Sequence, residues 1–316
     1  MLSFRVTAQR SEKLSRVALV FNNIPVAGMT VNPLDRAFVD GLRDLGLVEG
    51  RNIVIERRSA EGRYERIPSI MQELVALPVD VIVTTGPSVG AAMRATATIP
   101  IVSVGADGLV EAGGAASLAR PGGNLTGLSS EVGLGATSGK RLQLLKEAAP
   151  KASRVAFLSR PSRPSDRFWL PATEAAAHAL GLTLLWVGAD TPEELQAAFA
   201  AIAKDRADAL FVDGTILNYV HTHSITEFAA KLRLPAIYQF REGPEAGGLM
   251  SYGTNVPDLF RRAATFVAKI LKSVKPGDLP IEQPTKFELV INLKAARALN
   301  LAIPESLLLR ADEVIQ

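Results

Sequence analysis

The feature that most constrains the fold of this 316-residue chain is an internal repeat. The tripeptide LGL occurs at 45–47 and again at 180–182, an offset of 135 residues. The segment IPIVSVG resembles LPAIYQF at the same offset, and VDVIVTTG, which starts at Val79, resembles ADALFVDG, which starts at Ala207. Because the three matches keep their order along the chain, the sequence predicts two similar structural units.

Each unit alternates short apolar runs with helix-like stretches. Short apolar runs separated by helices are typical of parallel strands that are buried on both faces. Strands are predicted at 16–22, 52–57, 80–85, 100–104, 154–159, 183–187, 208–212 and 235–239, and helices at 33–45, 66–77, 88–96, 165–180, 191–204 and 225–232. The predicted fold class is therefore α/β, with two similar Rossmann-like lobes that each contain a parallel sheet.

Segments rich in glycine and serine, or in proline, join the two lobes. The chain is predicted to cross between them three times, near 127–130, 250–253 and 284–287. Three crossings form a hinge, and a hinge suits closure over a ligand. The predicted units are lobe one at 13–128 and 251–285, lobe two at 129–250, and a carboxyl-terminal segment at 286–316 whose lobe is not assigned.

The composition excludes several classes of function. The chain has no cysteine, which removes thiol catalysis, thiolate metal sites and disulfides. Its 35 Lys and Arg and 32 Asp and Glu give a net charge of +3 that is spread along the chain, so no nucleic-acid partner is predicted. His221 and His223 lack a third ligand at metal-binding spacing, and no cofactor or metal is predicted. No apolar run approaches the roughly 20 residues of a membrane helix, and no signal peptide is visible.

Candidate ligand-binding residues follow from the predicted topology. Ligands of parallel α/β sheets bind beyond the carboxyl ends of the strands, so in a two-lobed protein these ends line a cleft. The candidates in lobe one are Asn22, Asn23, Thr85, Gly86, Pro87, Ser88, Gly105 and Asp107. Those in lobe two and the second crossing are Ser159, Arg160, Asp213, Gly214, Thr215, Tyr238, Phe240, Glu242 and Tyr252.

These candidates suggest distinct chemical roles. The rings of Tyr238, Phe240 and Tyr252 are expected to stack on a planar or apolar ligand, or else to pack between the lobes. The carboxylates among the candidates are expected to hold an ammonium group, or else to cap the next helix. TTGPSVG at 84–90 places hydroxyls and main-chain amides at a helix start, which favours a carboxylate or phosphate. The alternative for Ser88 is a structural helix cap.

The same segment also contains G-x-S-x-G, the nucleophile elbow of α/β-hydrolases. Asp213 and either His221 or His223 follow Ser88 in the required order. However, Asp213 and His221 lie within one predicted strand-to-helix connection, and the repeat predicts two sheets where a hydrolase needs one. A serine hydrolase that uses Ser88 is therefore the less favoured alternative, and no catalytic residue is assigned.

Four long stretches resemble one known family. They are SLARPGGNLTGLS (117–129), KRLQLLKEAAP (140–150), LPAIYQFREGPEAGGLMSYGTN (234–255) and LPIEQPTKFELVINLKAARALNLAIPESLLLRADEVI (279–315). They are similar to the periplasmic substrate-binding components of ABC transporters, in the group related to tryptophan- and phenylalanine-binding members. A looser similarity extends over nearly the whole chain from Arg16 onward.

The resemblance implies a type I periplasmic binding protein with no enzymatic activity. It would capture a small carboxylate-bearing ligand, an amino acid or an aromatic acid, and deliver it to the permease subunits of an importer. The ligand would lie between the lobes with its carboxylate near 85–88, and the protein would be an extracytoplasmic monomer. DGTIL at 213–217 departs from the family's usual segment at that strand end, which leaves the ligand's identity open. A ligand-sensing domain of the same fold is the alternative function.

Overall fold

The computed structural model describes residues 14–132, 136–160 and 166–316. The strands are β1 Ser15–Phe21, β2 Ile53–Ser59, β3 Val81–Thr84, β4 Ile101–Val104, β5 Leu125–Leu128, β6 Arg154–Ser159, β7 Thr183–Gly188, β8 Ala209–Val212, β9 Ala236–Tyr238, β10 Met250–Gly253, β11 Glu288–Asn292 and β12 Glu313–Ile315. The helices are α1 Val26–Met29, α2 Pro33–Asp44, α3 Ile67–Ala76, α4 Pro87–Ala95, α5 Ala136–Ala148, α6 Asp166–Ala179, α7 Pro192–Lys204, α8 Ile216–Val220, α9 Thr222–Lys231, α10 Glu242–Glu245, α11 Val256–Leu271, α12 Leu293–Ala298 and α13 Glu305–Leu308. All eight predicted strands are present, each within two residues of its predicted ends.

The strands form two separate sheets, one in each lobe. The first sheet has the order β2-β1-β3-β4-β5 and is parallel throughout. The second has the order β12-β11-β10-β9-β8-β6-β7 and is parallel except for the β10–β11 pair. The predicted α/β fold with two mostly parallel sheets is confirmed.

Both faces of each sheet are buried, which explains why the strands are continuous apolar runs. In β1, Val17 and Leu19 belong to an apolar cluster on one face, where α2 and α11 pack. Ala18 and Val20 belong to a second cluster on the other face, with α3 and α4. The second sheet is buried between two equivalent clusters. Alternate residues of a strand thus enter opposite cores, as period-two geometry requires.

The chain returns to lobe one later than the sequence suggested. The segment Met250–Gly253, which was predicted as a crossing from which lobe one resumes at 251, is strand β10 in the second sheet. It pairs in parallel with β9 and antiparallel with β11, so the second crossing starts after Gly253. Strands β11 and β12 also join this sheet, which places 286–316 with lobe two.

Helix α11 carries the chain back into lobe one, where it packs against α2. The contact is close because Gly41 of α2 has no side chain: a Cβ there would lie 2.4 Å from the main-chain oxygen of Arg261. Seven apolar α11 residues enter the first core, including Phe260, which stacks on Phe21 with 5.3 Å between ring centroids. This packing fixes the second crossing to the body of lobe one.

Candidate functional site

The carboxyl ends of the two sheets face each other across a cleft. Tyr64 follows β2 in lobe one, and Arg160 follows β6 in lobe two. The guanidinium carbon of Arg160 lies 5.2 Å from the centroid of the Tyr64 ring. Since each residue follows the carboxyl end of a strand, this contact joins the two rims of the cleft in which the ligand was expected.

On the lobe-one side, three candidates form one hydrogen-bonded cluster. The Asn22 side chain donates from Nδ2 to the main-chain oxygen of Thr85 and to Thr85 Oγ1, both at 3.0 Å. Because a carbonyl oxygen can only accept, these contacts fix the orientation of the Asn22 amide. Ser88 Oγ therefore donates to Asn22 Oδ1, at 2.5 Å. Asn22 and Ser88 are both buried, with 1% and 0% of their surfaces exposed.

Within this cluster, the Thr85 hydroxyl is a donor that has no acceptor among the described residues. Thr85 Oγ1 accepts from Asn22, so its own proton is available for an acceptor elsewhere. Thr85 is partly exposed, and Gly86 and Pro87 beside it are exposed. Asn23, also partly exposed, lies next to Asn22 at the end of β1. The Thr85 hydroxyl thus keeps a proton to donate, while Asn22 and Ser88 hold Thr85 in place.

The start of α4 differs from the expected array of free amides. The amide of Ser88 donates to the Thr85 oxygen at 3.2 Å, and that of Val89 donates to the Gly86 oxygen at 3.1 Å. Gly86 takes φ +48°, which a residue with a side chain rarely adopts, and it is the N-cap of α4 with no side-chain cap. The interpretation of Ser88 as a helix cap is wrong, because its hydroxyl turns into the core toward Asn22.

The nucleophile-elbow interpretation of Ser88 gains no support from this geometry. An activated serine donates its hydroxyl proton to a base, in most cases an imidazole. Ser88 donates instead to an amide oxygen, which is not a base at neutral pH, and it has no exposed surface.

Asp107 contacts the hinge. Its carboxylate accepts from Ser129 Oγ, from the amide and hydroxyl of Ser130, and from the amide of Glu131, at 2.5 to 3.0 Å. These donors lie in the first crossing, directly after β5. Burial and the nearby Glu131 carboxylate raise the pKa of Asp107, and the hydrogen bonds from Ser129 and Ser130 oppose that shift. Because these bonds tie the carboxyl group to the first crossing, the expected role of Asp107 as an ammonium ligand is not what this geometry favours. Gly105 precedes it, partly buried between Leu259 and Ser130.

Arg141, which was not among the candidates, links the first crossing to strand β10. It lies in α5 with 1% of its surface exposed. Its Nε donates to the main-chain oxygen of Tyr252 at 2.7 Å, and its Nη2 pairs with Glu131 at 2.5 Å. Its guanidinium also lies 5.9 Å from the centroid of Phe211. Arg141 thus connects the first crossing to the strand from which the second crossing leaves.

In lobe two, Arg160 is held by Asp190, which follows β7. Arg160 Nε donates to Asp190 Oδ1 at 2.9 Å, and both side chains are about one quarter exposed. Ser159, the last residue of β6, is buried. The ion pair directs the guanidinium toward lobe one, where it meets the face of Tyr64.

The ends of β8 and β9 converge on a cavity of about 10 Å³, which has room for roughly one water molecule. Asp213, Gly214, Tyr219 and Phe240 are among its lining residues. The Gly214 amide donates to Gln239 Oε1 at 2.9 Å, and a Cβ on Gly214 would lie 2.1 Å from that oxygen. The 213–217 segment is therefore tightly packed against β9.

Thr215, one of the remaining candidates, and its neighbour Asn218 have structural roles. Thr215 is the N-cap of α8, where its hydroxyl accepts from the amide of Asn218 at 3.1 Å. Asn218, another residue that sequence reasoning missed, donates to the main-chain oxygens of Leu158 and Asp213. These bonds tie the end of β8 to the end of β6.

Glu242 places a partly unpaired carboxyl group in the interior of lobe two. Its Oε1 accepts from the Tyr219 hydroxyl at 3.1 Å, and its Oε2 is buried without a hydrogen-bond partner among the described residues. Burial raises the pKa of Glu242 above its ordinary range, and burial together with the adjacent carboxylate raises the pKa of Tyr219. Tyr219 also meets Phe240 edge to face, with 5.8 Å between centroids.

Two aromatic candidates pack within the protein rather than at the cleft surface. Tyr238 is 3% exposed and belongs to an apolar cluster of lobe two, where its ring lies against Gly243 and Gly248. Tyr252 stacks on Phe287 of the third crossing, with 5.5 Å between centroids. The alternative that these rings pack in and between the lobes fits the positions of Tyr238 and Tyr252. Tyr238 and Phe240 both line the small cavity at the ends of β8 and β9.

Within the described ranges, no three histidine, aspartate or glutamate side chains are grouped so that they could hold a metal ion. The same residues include no helix that is both long and apolar enough to cross a membrane. The His221–His223 segment lies at the start of α9, where His223 pairs with Glu227 of the same helix.

Two mostly parallel α/β lobes, three crossings and a cleft lined by strand ends define a two-lobed binding protein of type I. The chain belongs to the ABC transporter substrate-binding protein family, whose model matches residues 24–315. A curated relative, the tyrosine-binding protein of Clostridioides difficile, is 26% identical over 284 residues, which are 88% of this chain and 81% of that protein.

Solved structures share the fold over nearly the whole chain. A conserved domain protein from Vibrio cholerae has a TM-score of 0.87 and 26% identity, covering 96% of this chain and 100% of that one. The ABC domain from Streptococcus pneumoniae in complex with L-Trp has a TM-score of 0.86 and 22% identity, covering 95% and 100%. A ligand-free, open substrate-binding protein from Clostridium difficile has a TM-score of 0.69 and 23% identity, covering 96% and 99%.

Proposed function

We propose that this protein is the binding component of an ABC importer and closes its lobes over a small amino acid or aromatic acid. The observation that carries the proposal is the cleft itself, which lies between two lobes of a substrate-binding family and is lined by strand ends from both sheets. Delivery to permease subunits, an extracytoplasmic location, a monomeric state and the absence of enzymatic activity are parts of the same proposal.

The lobe-one cluster supports a ligand that carries a hydrogen-bond acceptor. The Thr85 hydroxyl has a proton to donate, and neither Asn22 nor Ser88 adds a negative charge there. The positive end of the α4 dipole lies at the same place and favours an anion. We assign the ligand's carboxylate to this position, with Thr85 as its direct contact and Asn22 and Ser88 as positioning residues.

The lobe-two strand ends support a group of opposite character. Glu242 presents a carboxyl whose Oε2 lacks a partner among the described residues, and Tyr219 and Phe240 place aromatic edges beside it. An ammonium group and an apolar or aromatic side chain fit such surroundings. The tyrosine bound by the clostridial relative, and the L-Trp of the streptococcal complex, have this combination of groups.

A ligand screen by thermal unfolding, followed by calorimetry, tests the proposal. The panel contains L-tyrosine, L-tryptophan and L-phenylalanine, their methyl esters, and the matching deaminated acids. A ligand present at 100 times its Kd stabilises the folded protein by about 2.7 kcal/mol, which is a readily measured shift.

We expect at least one free acid to bind and its methyl ester to bind much more weakly, because the ester has no negative charge. Equal binding of acid and ester would reject the assignment of the carboxylate to lobe one. If no member of the panel or of a wider set of small carboxylates stabilised the protein, the proposed ligand class would be wrong.

A further inference from the structure

We propose that Tyr64 and Arg160 form a clasp at the mouth of the cleft that holds the two lobes in the closed arrangement. The clasp is the contact of the Arg160 guanidinium with the Tyr64 ring, at 5.2 Å, together with the Arg160–Asp190 ion pair. This proposal concerns the two-lobed fold, and it is testable without a ligand.

The sheet orders place the contact at the edge of the cleft that lies opposite the hinge. In lobe one the first crossing leaves from β5, and the third crossing bridges to β5 through Leu128 and Glu282. Tyr64 follows β2, at the other edge of that sheet. In lobe two the second crossing leaves from β10 and the third enters β11, whereas Arg160 and Asp190 follow β6 and β7 at the opposite edge.

This position makes the contact sensitive to lobe opening. Four strand spacings of about 4.8 Å separate β5 from β2, so the mouth lies roughly 19 Å from the hinge edge. A lobe rotation of about 15°, like the rigid-body rotation known for one pair of subunits, would move the mouth by about 5 Å. That displacement would carry the guanidinium beyond the ~6 Å limit at which a cation attracts an aromatic face.

Each half of the clasp is anchored in its own lobe. Tyr64 packs against the apolar cluster of lobe one that contains Ile67 and Ile70, and its hydroxyl has no hydrogen-bond partner among the described residues. Arg160 is fixed by its Nε–Oδ1 bond to Asp190. The ring face and the guanidinium are thus presented by separate rigid bodies, and they meet only when the lobes approach.

The clasp is distinct from the polar network at the hinge. There Asp107 and Arg141 bind residues of the crossings, and those contacts lie close to the rotation axis. A contact near the axis changes little on rotation, while one at the mouth breaks. Tyr64 and Arg160 are therefore positioning residues: they stabilise the closed arrangement of the lobes, and this arrangement retains the ligand.

The test measures the distance between the lobes in the ligand-free protein by pulsed electron paramagnetic resonance. The chain contains no cysteine, so Ser69→Cys and Gln196→Cys, exposed residues of α3 and α7, provide the only two spin-label sites. The variants are Y64L, Y64F, R160Q and the double variant Y64L/R160Q. The control is R154Q, which removes an arginine at the opposite end of β6.

We expect Y64L and R160Q each to lower the ratio of closed to open protein about 2- to 30-fold, the range that a cation–π contact can supply. Y64F keeps the ring and should resemble the unmodified protein, as should R154Q. The double variant should be no more open than the more open single variant, because each single change already removes the contact.

Three results would overturn the proposal: an open distance alone in the unmodified protein, no change in Y64L and R160Q, or additive effects in the double variant. If the unmodified protein shows the closed distance alone, the same four variants are compared by urea unfolding. A coupling between positions 64 and 160 then supports the clasp, and its absence rejects it.

Discussion

Replacing the buried Arg141 should lower the free energy of unfolding more than replacing an arginine whose described contacts are exposed. Arg141 is 1% exposed, and it holds the Tyr252 carbonyl at 2.7 Å and the Glu131 carboxylate at 2.5 Å. Arg141→Met keeps the apolar stem and removes both interactions. The Tyr252 carbonyl then lacks this donor, and Glu131 lacks this counter-charge.

The expected magnitude follows from these two losses. Removal of one partner from a buried ion pair typically destabilises a protein by about 3–5 kcal/mol. The Glu131 side chain is 19% exposed and can regain some hydration, so we expect a value near the lower limit, about 3 kcal/mol. Glu131→Gln should cost less, about 1.5 kcal/mol, because the glutamine oxygen can still accept from the guanidinium.

Urea unfolding followed by circular dichroism measures these changes, and Arg154→Met is the matched control. Arg154 is exposed and donates to the Asp205 carbonyl, so its replacement should change stability by less than about 0.5 kcal/mol. The double variant R141M/E131Q should lose less than the sum of the two single losses, since the residues share one interaction. If R141M proved as stable as R154M, Arg141 would not link the first crossing to β10 as described.

Three further predictions concern other parts of the site. Ser88→Ala should lower the free energy of unfolding, measured in urea, by about 1–3 kcal/mol, because it leaves the buried Asn22 Oδ1 without its donor. An unchanged free energy would mean that the Ser88 hydroxyl does not donate to Asn22. Gly253→Ala should destabilise the protein by more than about 2 kcal/mol in the same assay, because the added Cβ would lie 1.9 Å from a main-chain oxygen. Gly123→Ala is the control and should leave the stability unchanged, because the space around Gly123 is open. Glu242 has a raised pKa when folded, so it favours the protonated native state, and its contribution to stability should be lost as pH rises from about 4.3 through that raised value. Glu242→Gln should remove this pH dependence from urea midpoints, and an identical pH profile in both proteins would contradict the assigned burial.

The fold could be predicted well because its strands are buried on both faces. A strand such as Val81–Thr84 has apolar or small residues at every position, and the structure buries all four. Strand β10 was missed because MSYG is short, contains glycine and serine, and follows two more glycines. Its strand character comes from pairing on both sides with β9 and β11, a tertiary effect that no local pattern contains.

The position of the candidate site could be predicted, but the direction of its side chains could not. A strand end fixes where a residue lies along the sheet, while the side chain leaves on one face or the other. Tyr238 thus follows alternation into one lobe-two core, opposite to its neighbour Ile237, and its buried ring reaches only the small cavity at the strand ends. The same limit applies to Ser88, whose hydroxyl turns inward from the first turn of α4.

Arg141 is a case in which the sequence did contain a signal. It lies three, four and seven residues before Leu144, Leu145 and Ala148, which places it on the buried face of α5. A charged residue on such a face requires buried partners, because an unpaired charge in a core is costly. Glu131, ten residues earlier in the first crossing, supplies the opposite charge. A search for charges on apolar helix faces would therefore have identified the hinge network.

The hydrogen bonds that a candidate side chain already makes within the protein determine whether it can also bind a ligand. Asn22 uses both functional ends of its amide within lobe one, and Asp107 accepts four bonds from the first crossing. Both stand at strand ends, but the Asn22 amide oxygen and amino group are both occupied, and most of the accepting capacity of Asp107 is used within the hinge. Thr85 and Glu242 keep unused capacity. The Thr85 hydroxyl proton has no acceptor among the described residues, and Glu242 Oε2 has no donor among them. Because the two lie in different lobes, a ligand of the proposed kind that bound to both would join the lobes and would favour the closed state.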